Sequence, residues 1–322
     1  MIPNFSYPNP EVHCLWAKSS EQGGHGLLAH MLDVAAVAET ILSYEPSSTL
    51  HWIAEGLGLP VAQVMRWIAF LAGLHDFGKA IPGFQNKWPQ GRQADEAAGL
   101  IFKAPSLEAT DHARASAVLL QVFLMERLPQ HEDWVRHVLQ AISAHHGYNF
   151  SKRELEGAKP RFESPEWAQA RRALFDAYSD VLAPQGEPAA EALSLQVVQW
   201  LAGLTSVADW IGSNTEWFPL GGCDDDLRVY YRRALARAEK ALQAIGWAPH
   251  QILLDTPADS NALISRIVGQ PGALEARSLQ READALLNDV QGPALLLVEA
   301  PMGEGKTELA FLAHLRLHGY SG

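Results

Sequence analysis

The sequence has 322 residues, of which 48% are hydrophobic and 19% are charged, so it is long enough for one large globular domain and part of another. Its formal net charge of −12 argues against the uniformly basic surface of many non-specific DNA-binding proteins, although bound divalent cations would add local positive charge. Two cysteines cannot form a disulfide framework, which excludes the class of disulfide-rich secreted proteins.

Targeting and membrane signals are not visible in the sequence. Residues 1–10 have no basic region followed by an apolar core, as a secretion signal would. The longest apolar stretches, such as residues 67–74, are too short to span a bilayer. These features predict a cytoplasmic protein with no membrane partner.

Three regions follow one another along the chain. Residues 27–245 carry apolar side chains at three- and four-residue spacings without sustained alternation, which predicts α-helices. The helical pattern weakens near residue 249, and a short apolar run at 294–298 is typical of a buried parallel strand before a glycine-rich turn and a helix. We therefore predict a helical domain over 1–248, a linker over 249–275, and the beginning of an α/β domain over 276–322, too short to close a parallel sheet.

The adjacent pair His75-Asp76 is the first candidate for a functional site. His75 continues the apolar stripe of Val64, Ile68 and Leu71 at helical spacing, so its ring is expected to point into the core. A buried histidine with one hydrogen-bond partner is the ordinary explanation. Asp76 is harder to explain, because a carboxylate beside a buried helix face needs a cation or several donors.

Five further side chains extend this pattern. His30 lies on the apolar face of its helix, and His145 and His146 end another helix just before Gly147, where the helix dipole favours a cation. His112 follows a plausible N-cap, and Asp209 lies over small residues. Each alone has an ordinary explanation, as a hydrogen-bonded core histidine or a solvent-facing acid.

Together these seven groups predict a metal centre. Five histidines and two aspartates on mainly apolar helices would be costly to bury without a cation. Imidazole and carboxylate suit first-row transition metals, and seven ligands exceed the needs of one ion. A pair of metals sharing a carboxylate would activate a water molecule and stabilise an in-line phosphoryl displacement. Asp76 and Lys79, which lies one helical turn after His75, are the candidate catalytic residues.

At these residues the sequence resembles a known family. His75-Asp76 with Lys79, His30, His112, the run 145–147 and residues 208–210 together resemble the HD nuclease domain of the CRISPR-associated nuclease–helicase of type I interference systems. Residues 15–20, 30–37 and 208–213 are similar to the subtype I-E proteins, which the five-protein Cascade complex serves. The resemblance covers nearly the whole chain. It implies an all-α HD-domain bundle followed by the truncated beginning of an α/β RecA-like helicase domain.

The resemblance also implies roles for individual residues. His30, His75, Asp76 and Asp209 would hold one divalent transition-metal ion, and Asp76 would bridge to a second. The second ion would be held by His112, His145 and His146, and Fe²⁺, Mn²⁺, Ni²⁺ or Co²⁺ are the ions expected. The substrate would be single-stranded DNA, the strand displaced when Cascade opens its target, cut both internally and from its ends. A protein that inhibits the nuclease is a further partner that the resemblance leaves open.

A second motif lies in the C-terminal region. Residues 300–307, Ala-Pro-Met-Gly-Glu-Gly-Lys-Thr, depart from the general P-loop at Ala300 and resemble the first motif of superfamily 2 helicases. Backbone amides at Gly303 and Gly305 would cradle phosphates, Lys306 would contact the β and γ groups, and Thr307 would bind Mg²⁺. ATP and Mg²⁺ are therefore expected ligands of a full-length protein, but ATP hydrolysis is not expected of this chain. Gln280 upstream is either an adenine-reading residue or an exposed helical glutamine.

Three functions stay open on the residues alone. The first is a metal-dependent single-stranded DNA nuclease of CRISPR interference. The second keeps the HD site but assigns a small substrate, such as a nucleotide or cyclic dinucleotide. The third is an interaction module whose metal, if any, is structural. The P-loop after the linker favours the first, because stand-alone HD phosphohydrolases have no need of it.

Overall fold

The computed structural model describes residues 15–21, 23–147, 150–182, 184–223, 226–250, 253, 258–270, 274–290 and 294–319. Their contacts divide them into two compact units. The first unit contains the described residues of Met1–Tyr44 and Leu50–Ala248, and the second contains those of Pro249–Gly322 with the short segment Glu45–Thr49.

The first unit is a bundle of helices preceded by one β-hairpin. Its strands are β1 (Trp16–Ser20) and β2 (Gly23–Gly26). Its α-helices are α1 (Leu27–Tyr44), α2 (Ser47–Leu57, which begins at the end of the short segment), α3 (Val61–Gly73), α4 (Pro82–Gln85), α5 (Pro89–Ala97), α6 (His112–Arg127), α7 (Glu132–Ser143), α8 (Lys152–Glu156), α9 (Pro165–Leu182), α10 (Leu195–Gly212) and α11 (Leu227–Ala244). Among the described residues, 3₁₀ helices lie at Leu74–Lys79, Ala104–Leu107 and Ala144–His146.

Helix α1 is the central helix of this bundle. It packs against α3, α10 and α11, and most of its residues are fully buried. The helix is long and apolar enough to cross a membrane by composition, and it is a longer apolar stretch than residues 67–74, which the sequence analysis singled out. Because 83% of that window is buried inside the protein, the packing of a core helix accounts for its composition.

The β-hairpin departs from the all-α prediction. Strands β1 and β2 pair antiparallel, with Lys18 opposite His25 and an irregularity in register between Trp16 and Lys18. The backbone N–H of Leu27 donates to the carbonyl of Leu15 at 2.8 Å, which fixes the hairpin at the start of α1. Strands of four and five residues that contain three glycines carry too little alternation to be recognised in the sequence.

The second unit is formed by α12 (Ser260–Val268), α13 (Ser278–Asn288) and α14 (Lys306–Gly319). Helices α12 and α13 pack against α14 around a small core of Leu263, Leu287 and Leu312. The Arg316 guanidinium donates to both carboxylate oxygens of Asp284, at 2.6 and 3.0 Å. Helix α12 therefore lies inside the range 249–275, where the sequence analysis placed a linker.

The strand predicted at residues 294–298 is not formed in the described part of the chain. These residues have no regular structure, and Leu295 and Leu297 are 97% and 82% exposed. A buried parallel strand needs neighbouring strands to pair its backbone and cover its side chains. The described residues of this unit provide none, so the helicase-like α/β layer is not established here.

Candidate metal centre

The seven predicted ligands lie close together in the first unit, on α-helices and 3₁₀ helices. Helix α1 carries His30, and the 3₁₀ helix after α3 carries His75 and Asp76. The remaining ligands come from the start of α6, the 3₁₀ helix after α7 and the last turn of α10; they are His112, His145, His146 and Asp209. Gly147, with φ of 85°, ends the segment that bears the two adjacent histidines.

Four of these side chains form a first group. The ligand atoms of His30, His75, Asp76 and Asp209 all lie within 4.8 Å of one another. His30 Nε2 lies 3.0 Å from Asp76 Oδ2 and 3.4 Å from Asp209 Oδ1. His75 Nε2 lies 3.3 and 3.5 Å from the same two oxygens. Two imidazoles and two carboxylates therefore converge on a single point.

The other three histidines form a second group beside the first. The ligand atoms of His112, His145 and His146 also lie within 4.8 Å of one another. The second oxygen of Asp76, Oδ1, lies 3.3 Å from His112 Nε2 and 3.9 Å from His145 Nε2. Asp76 thus presents one oxygen to each group, which is the arrangement of a bridging carboxylate.

Backbone carbonyls set which ring nitrogen is free to bind a metal. The Nδ1–H of His75 donates to the carbonyl of Ala72 at 2.9 Å, and that of His145 donates to the carbonyl of Ile142 at 2.8 Å. Because a carbonyl only accepts, both rings keep their Nδ1 proton and point Nε2 into the centre. This is the usual outer support of a metal-binding histidine.

The buried polar atoms of the centre fit divalent cations. His75 Nε2, Asp76 Oδ1 and His145 Nε2 are inaccessible to solvent and have no hydrogen-bond partner among the described residues. Such atoms are costly to bury alone, and imidazole nitrogen with carboxylate oxygen is a donor set for first-row transition metals. The residues present therefore fit the pair of metals that the sequence predicted.

Protons and a lysine occupy the first group when no metal is bound. Burial alone would lower the pKa of His75, but the Asp76 and Asp209 carboxylates raise it to about 9. Burial would raise the pKa of Asp76, yet the Lys79 ammonium, 2.5 Å from Oδ2, and His75 hold it well below its usual range. A metal that binds here must displace a proton from His75 and the Lys79 contact from Asp76.

Two histidines of the second group have lowered pKa values. Burial lowers the pKa of His112 to about 4, and burial together with the charge of His75 lowers the pKa of His145 to about 3. Both rings are therefore neutral at physiological pH. A neutral imidazole is the form that binds a metal.

Supporting residues around the ligands were not recognised in the sequence. Ser116 donates to the carbonyl of His75 at 2.6 Å, Ser206 donates to the carbonyl of His145 at 2.7 Å, and Ser213 donates to Asp209 Oδ1 at 2.7 Å. In a separate buried network, Tyr230 donates to Asp33 Oδ1 at 3.0 Å, while Asp33 Oδ2 lies 2.9 Å from His25 Nε2. The sequence held a signal for two of these contacts, because Ser116 and Ser206 each lie one helical turn from a predicted ligand, His112 and Asp209 respectively.

Lys18 on β1 was also missed. It belongs to residues 15–20, which carried part of the family resemblance but received no role. Its Nζ is inaccessible to solvent and has no hydrogen-bond partner among the described residues.

The predicted nucleotide loop lies in the second unit. Gly303 and Gly305 have φ of 84° and 76°, and they line a cavity of about 670 Å³ with Gln280, Lys306 and Thr307. Lys306 Nζ donates to the carbonyl of Pro301 at 2.7 Å. Gln280 is 3% exposed and donates to the carbonyl of Gly305 at 3.1 Å, so its interpretation as an exposed helical glutamine is wrong.

Comparison with known proteins assigns the family. Residues 16–218 match the family described as "Cas3, HD domain". The chain belongs to the Cas3 HD-domain family. The matched range contains all seven predicted ligands and Lys79.

Individual Cas3 relatives agree with this assignment. The chain is 39% identical over 308 residues to the CRISPR-associated endonuclease/helicase Cas3 of Thermus thermophilus, covering 93% of this chain and 32% of the relative. A crystal structure of the Thermus thermophilus Cas3 HD domain in the presence of Ni²⁺ is 34% identical, with a TM-score of 0.58, and covers 74% of this chain and 92% of that one. A chain of a CRISPR RNA-guided surveillance complex before nicking is 26% identical, with a TM-score of 0.68, over 96% of this chain and 35% of that one.

The chain therefore spans about one third of the length of the curated Cas3 relatives it matches. The family is established over the HD domain. The subtype and the activity of the longer proteins are separate questions.

Proposed function

We propose that this chain is the nuclease part of a Cas3 protein and hydrolyses phosphodiester bonds of single-stranded DNA with two divalent transition-metal ions. The observation that carries the proposal is the convergence of seven imidazole and carboxylate side chains in two groups that share Asp76. The Ni²⁺ in the related HD-domain structure supports a transition metal, and Fe²⁺, Mn²⁺ and Co²⁺ suit the same ligands.

The reaction is a hydrolysis at phosphorus. When bound, two divalent ions supply the charge that activates water and stabilises an in-line displacement. A water molecule gives up a proton and its oxygen bonds to phosphorus. The bond from phosphorus to the sugar oxygen breaks, and the leaving sugar oxygen takes up a proton, so that one water is consumed and no net proton is released. Asp76 holds the two ligand groups at a fixed separation. Lys79, whose ammonium contacts Asp76 in this structure, would be free to contact the phosphate or to protonate the leaving oxygen if Asp76 held metal.

An exposed tryptophan beside the centre favours a strand over a small nucleotide. Trp210 directly follows the predicted ligand Asp209 on α10 and is 70% exposed, whereas Trp52, the other exposed tryptophan of the described residues, is 43% exposed. Aromatic side chains at single-strand sites hold successive bases by stacking. A substrate that extends beyond the metal centre would meet this ring, and a single nucleotide need not.

Circular single-stranded DNA tests the activity directly, because a circle has no ends and its cleavage must be internal. The purified chain is loaded with Mn²⁺, Ni²⁺, Co²⁺ or Fe²⁺ and incubated with the circle, beside Asp76→Ala and an exposed control on α9, Asp176→Ala. We expect linear and then short products from the wild type and the control, and none from Asp76→Ala. Hydrolysis of small phosphodiesters with intact DNA would favour the small-substrate alternative. Metal-free, inert protein would favour an interaction module.

The proposal extends to the biological setting of the longer Cas3 proteins. The related chain in a CRISPR RNA-guided surveillance complex supports a guide-RNA complex as the partner. Cascade of subtype I-E, acting in the cytoplasm and delivering the displaced strand, is the form of that partner that we propose. The P-loop cavity supports ATP and Mg²⁺ as ligands of a full-length helicase. A protein that inhibits the nuclease would fit the same setting. Binding of the chain to purified Cascade on an opened target tests the partner, and its failure to bind would restrict the proposal to the chemistry.

A further inference from the structure

Strand β1 is hydrogen-bonded, through Gln85, to the C-terminal end of the 3₁₀ helix Leu74–Lys79, which carries His75 and Asp76. The Gln85 side chain is fully buried; its Oε1 accepts from the backbone N–H of Trp16 at 3.0 Å, and its Nε2 donates to the carbonyls of Trp16 and Lys79 at 2.9 and 2.8 Å. The irregularity in the register of β1 comes immediately after Trp16 in the chain, between Trp16 and Lys18. An irregularity of this kind changes the direction of the next side chain.

Lys18 is thereby held close to the charges of the metal centre. Burial lowers its pKa to about 8, the Asp209, Asp76 and Asp33 carboxylates raise it, and the Lys79 ammonium lowers it. The two ammonium groups and the ligand carboxylates therefore share one region. Yet Lys18 Nζ, which is shielded from solvent, has no hydrogen-bond partner among the described residues. A shielded ammonium without a partner is costly and needs an anion.

With two divalent ions bound, the centre would carry a net positive charge. Only two of the seven ligands are carboxylates, so they cannot neutralise two divalent ions. Lys79 and Lys18 add two further positive charges in the same region. Such a cluster attracts an anion, and the anion that the proposed reaction brings to it is a phosphate.

We propose that Lys18 contacts a non-bridging oxygen of the substrate phosphate and, with Lys79, supplies two cations to the reacting group. This inference rests on the proposed phosphodiester chemistry. It gives the β-hairpin a catalytic role in a domain whose ligands are otherwise carried by helices. Lys18 is distinct from a metal ligand, because an ammonium has no lone pair to give.

Orthophosphate binding tests this contact without requiring turnover. The full chain is loaded with Mn²⁺, and the dissociation constant for inorganic phosphate is measured by calorimetry for wild type, Lys18→Met, Lys18→Arg and Lys240→Met. Lys240 is an exposed lysine of α11 and serves as the matched control. We expect phosphate affinity to fall about tenfold or more in Lys18→Met, since a hydrogen bond to a charged group is lost. Lys18→Arg should keep most of the affinity, and Lys240→Met all of it.

Two accompanying measurements separate this role from a structural one. Manganese content should be unchanged in Lys18→Met, and the melting temperature of the metal-free variant should not fall, because a buried unpaired charge has been removed. Unchanged phosphate affinity in Lys18→Met would overturn the proposal. A Lys18→Met variant that loses phosphate binding together with its manganese would also overturn the proposal, because Lys18 would then support the ions. A variant that loses phosphate binding together with thermal stability would overturn it as well, because Lys18 would then support the fold.

The same variants distinguish this proposal from the proposed function. Phosphate binding that depends on Lys18, in a protein that leaves single-stranded DNA intact, would support the contact and contradict the nuclease. A wild type that cuts DNA and a Lys18→Met variant that cuts it at the same rate would support the nuclease and contradict the contact. A loaded wild type that binds no phosphate would contradict the contact outright.

Discussion

Asp76 presents its two carboxylate oxygens to different groups of histidines. Oδ2 lies near His30 and His75, whereas Oδ1 lies near His112 and His145. Asp209 reaches only the first group. The two aspartates therefore differ in the groups that they contact, and the family resemblance likewise gives the bridging position to Asp76 and not to Asp209.

Metal content should reveal that inequality. We expect two ions per wild-type chain, about one in Asp209→Ala and close to none in Asp76→Ala, because a bridging carboxylate serves both sites. Mass spectrometry of the loaded and desalted protein gives the count. Asp176→Ala, at an exposed aspartate of α9, is the control and should retain both ions. One ion remaining in Asp76→Ala would contradict the bridge.

The histidines should give the metal-free protein a pH-dependent stability. Unfolded histidines titrate near about 6.5, whereas the folded pKa of His112 is about 4 and that of His145 about 3. Between these values the unfolded chain binds more protons, so stability falls as pH drops from neutral towards 4. His75, with a folded pKa of about 9, acts oppositely and loses its contribution as pH rises towards that value.

Thermal unfolding of chelator-treated protein across this range checks the sign. The melting temperature should be highest near neutral pH and should decline on both sides. In His112→Gln the acid-side decline should be shallower than in the wild type. An identical acid-side slope in the two proteins would show that His112 does not titrate as its buried position requires.

Trp210 should affect substrate binding rather than the chemical step. Replacing it by alanine should raise KM for single-stranded DNA about 5- to 150-fold, as expected for one lost stacking contact of about 1–3 kcal/mol. Hydrolysis of bis(p-nitrophenyl) phosphate should be unchanged. Trp52→Ala, at a partly exposed tryptophan that packs against Trp200, is the control. An equal effect of Trp210→Ala on both substrates would place the ring in the fold or the metal site instead.

At this scale the sequence could indicate the candidate metal ligands but not the residues that support them. His75-Asp76 and the His145-His146 pair stand out because polar groups interrupt apolar stripes. Lys18 and Ser206 are ordinary residues in the sequence. Their roles come from contacts with segments far away in the chain, such as the carbonyl of His145.

Close packing between the metal-bearing 3₁₀ helix and α6 depends on one glycine. A Cβ on Gly78 would lie 2.1 Å from the carbonyl oxygen of His112 and 2.3 Å from the backbone nitrogen of Ser116. Neither backbone atom can move independently of α6. Because this contact sets the position of His112 relative to Asp76, Gly78 links helix packing to the geometry of the second metal group.

Gly78→Ala should therefore damage both the fold and the site. We expect a loss of about 1–3 kcal/mol in unfolding free energy from overpacking, together with weaker binding of the second ion. Denaturant unfolding and metal titration measure the two effects. Gly203→Ala on α10, where an added Cβ meets nothing within 4 Å, should be neutral or more stable by up to about 1 kcal/mol. Equal stability of the two variants would contradict the packing argument.

Helical elements were predictable from the sequence and strands were not. The three- and four-residue spacing indicated the helices that carry His30, His112 and Asp209. The hairpin was missed because both strands are short and lack alternation, and three of the four residues of β2 are glycines. The run at 294–298 was assigned to a strand from composition alone, but a strand forms only where another strand pairs with it.

The two units of the molecule carry separate chemistry. All seven candidate ligands lie in the first unit, and the P-loop residues lie in the second. Lys306 contacts carbonyls of its own loop. The longer Cas3 relatives are described as endonuclease/helicases, and the nuclease chemistry proposed here needs no nucleotide.

DNA cleavage by this chain should therefore be independent of ATP. We expect equal rates on circular single-stranded DNA with and without ATP and Mg²⁺, and an unchanged rate in Lys306→Ala. A gel assay with each metal-loaded protein makes the comparison, with Asp76→Ala as the inactive reference. Cleavage that requires ATP and disappears in Lys306→Ala would show that the second unit controls the first.

Anomalous diffraction from crystals of the manganese-loaded chain tests the central claim most directly. The account predicts two peaks about 3.5–4 Å apart, the separation typical of two-metal hydrolytic sites. One peak should be bound by His30, His75 and Asp209 and the other by His112, His145 and His146, with Asp76 bound to both. A single peak, or two peaks that do not share Asp76, would contradict it.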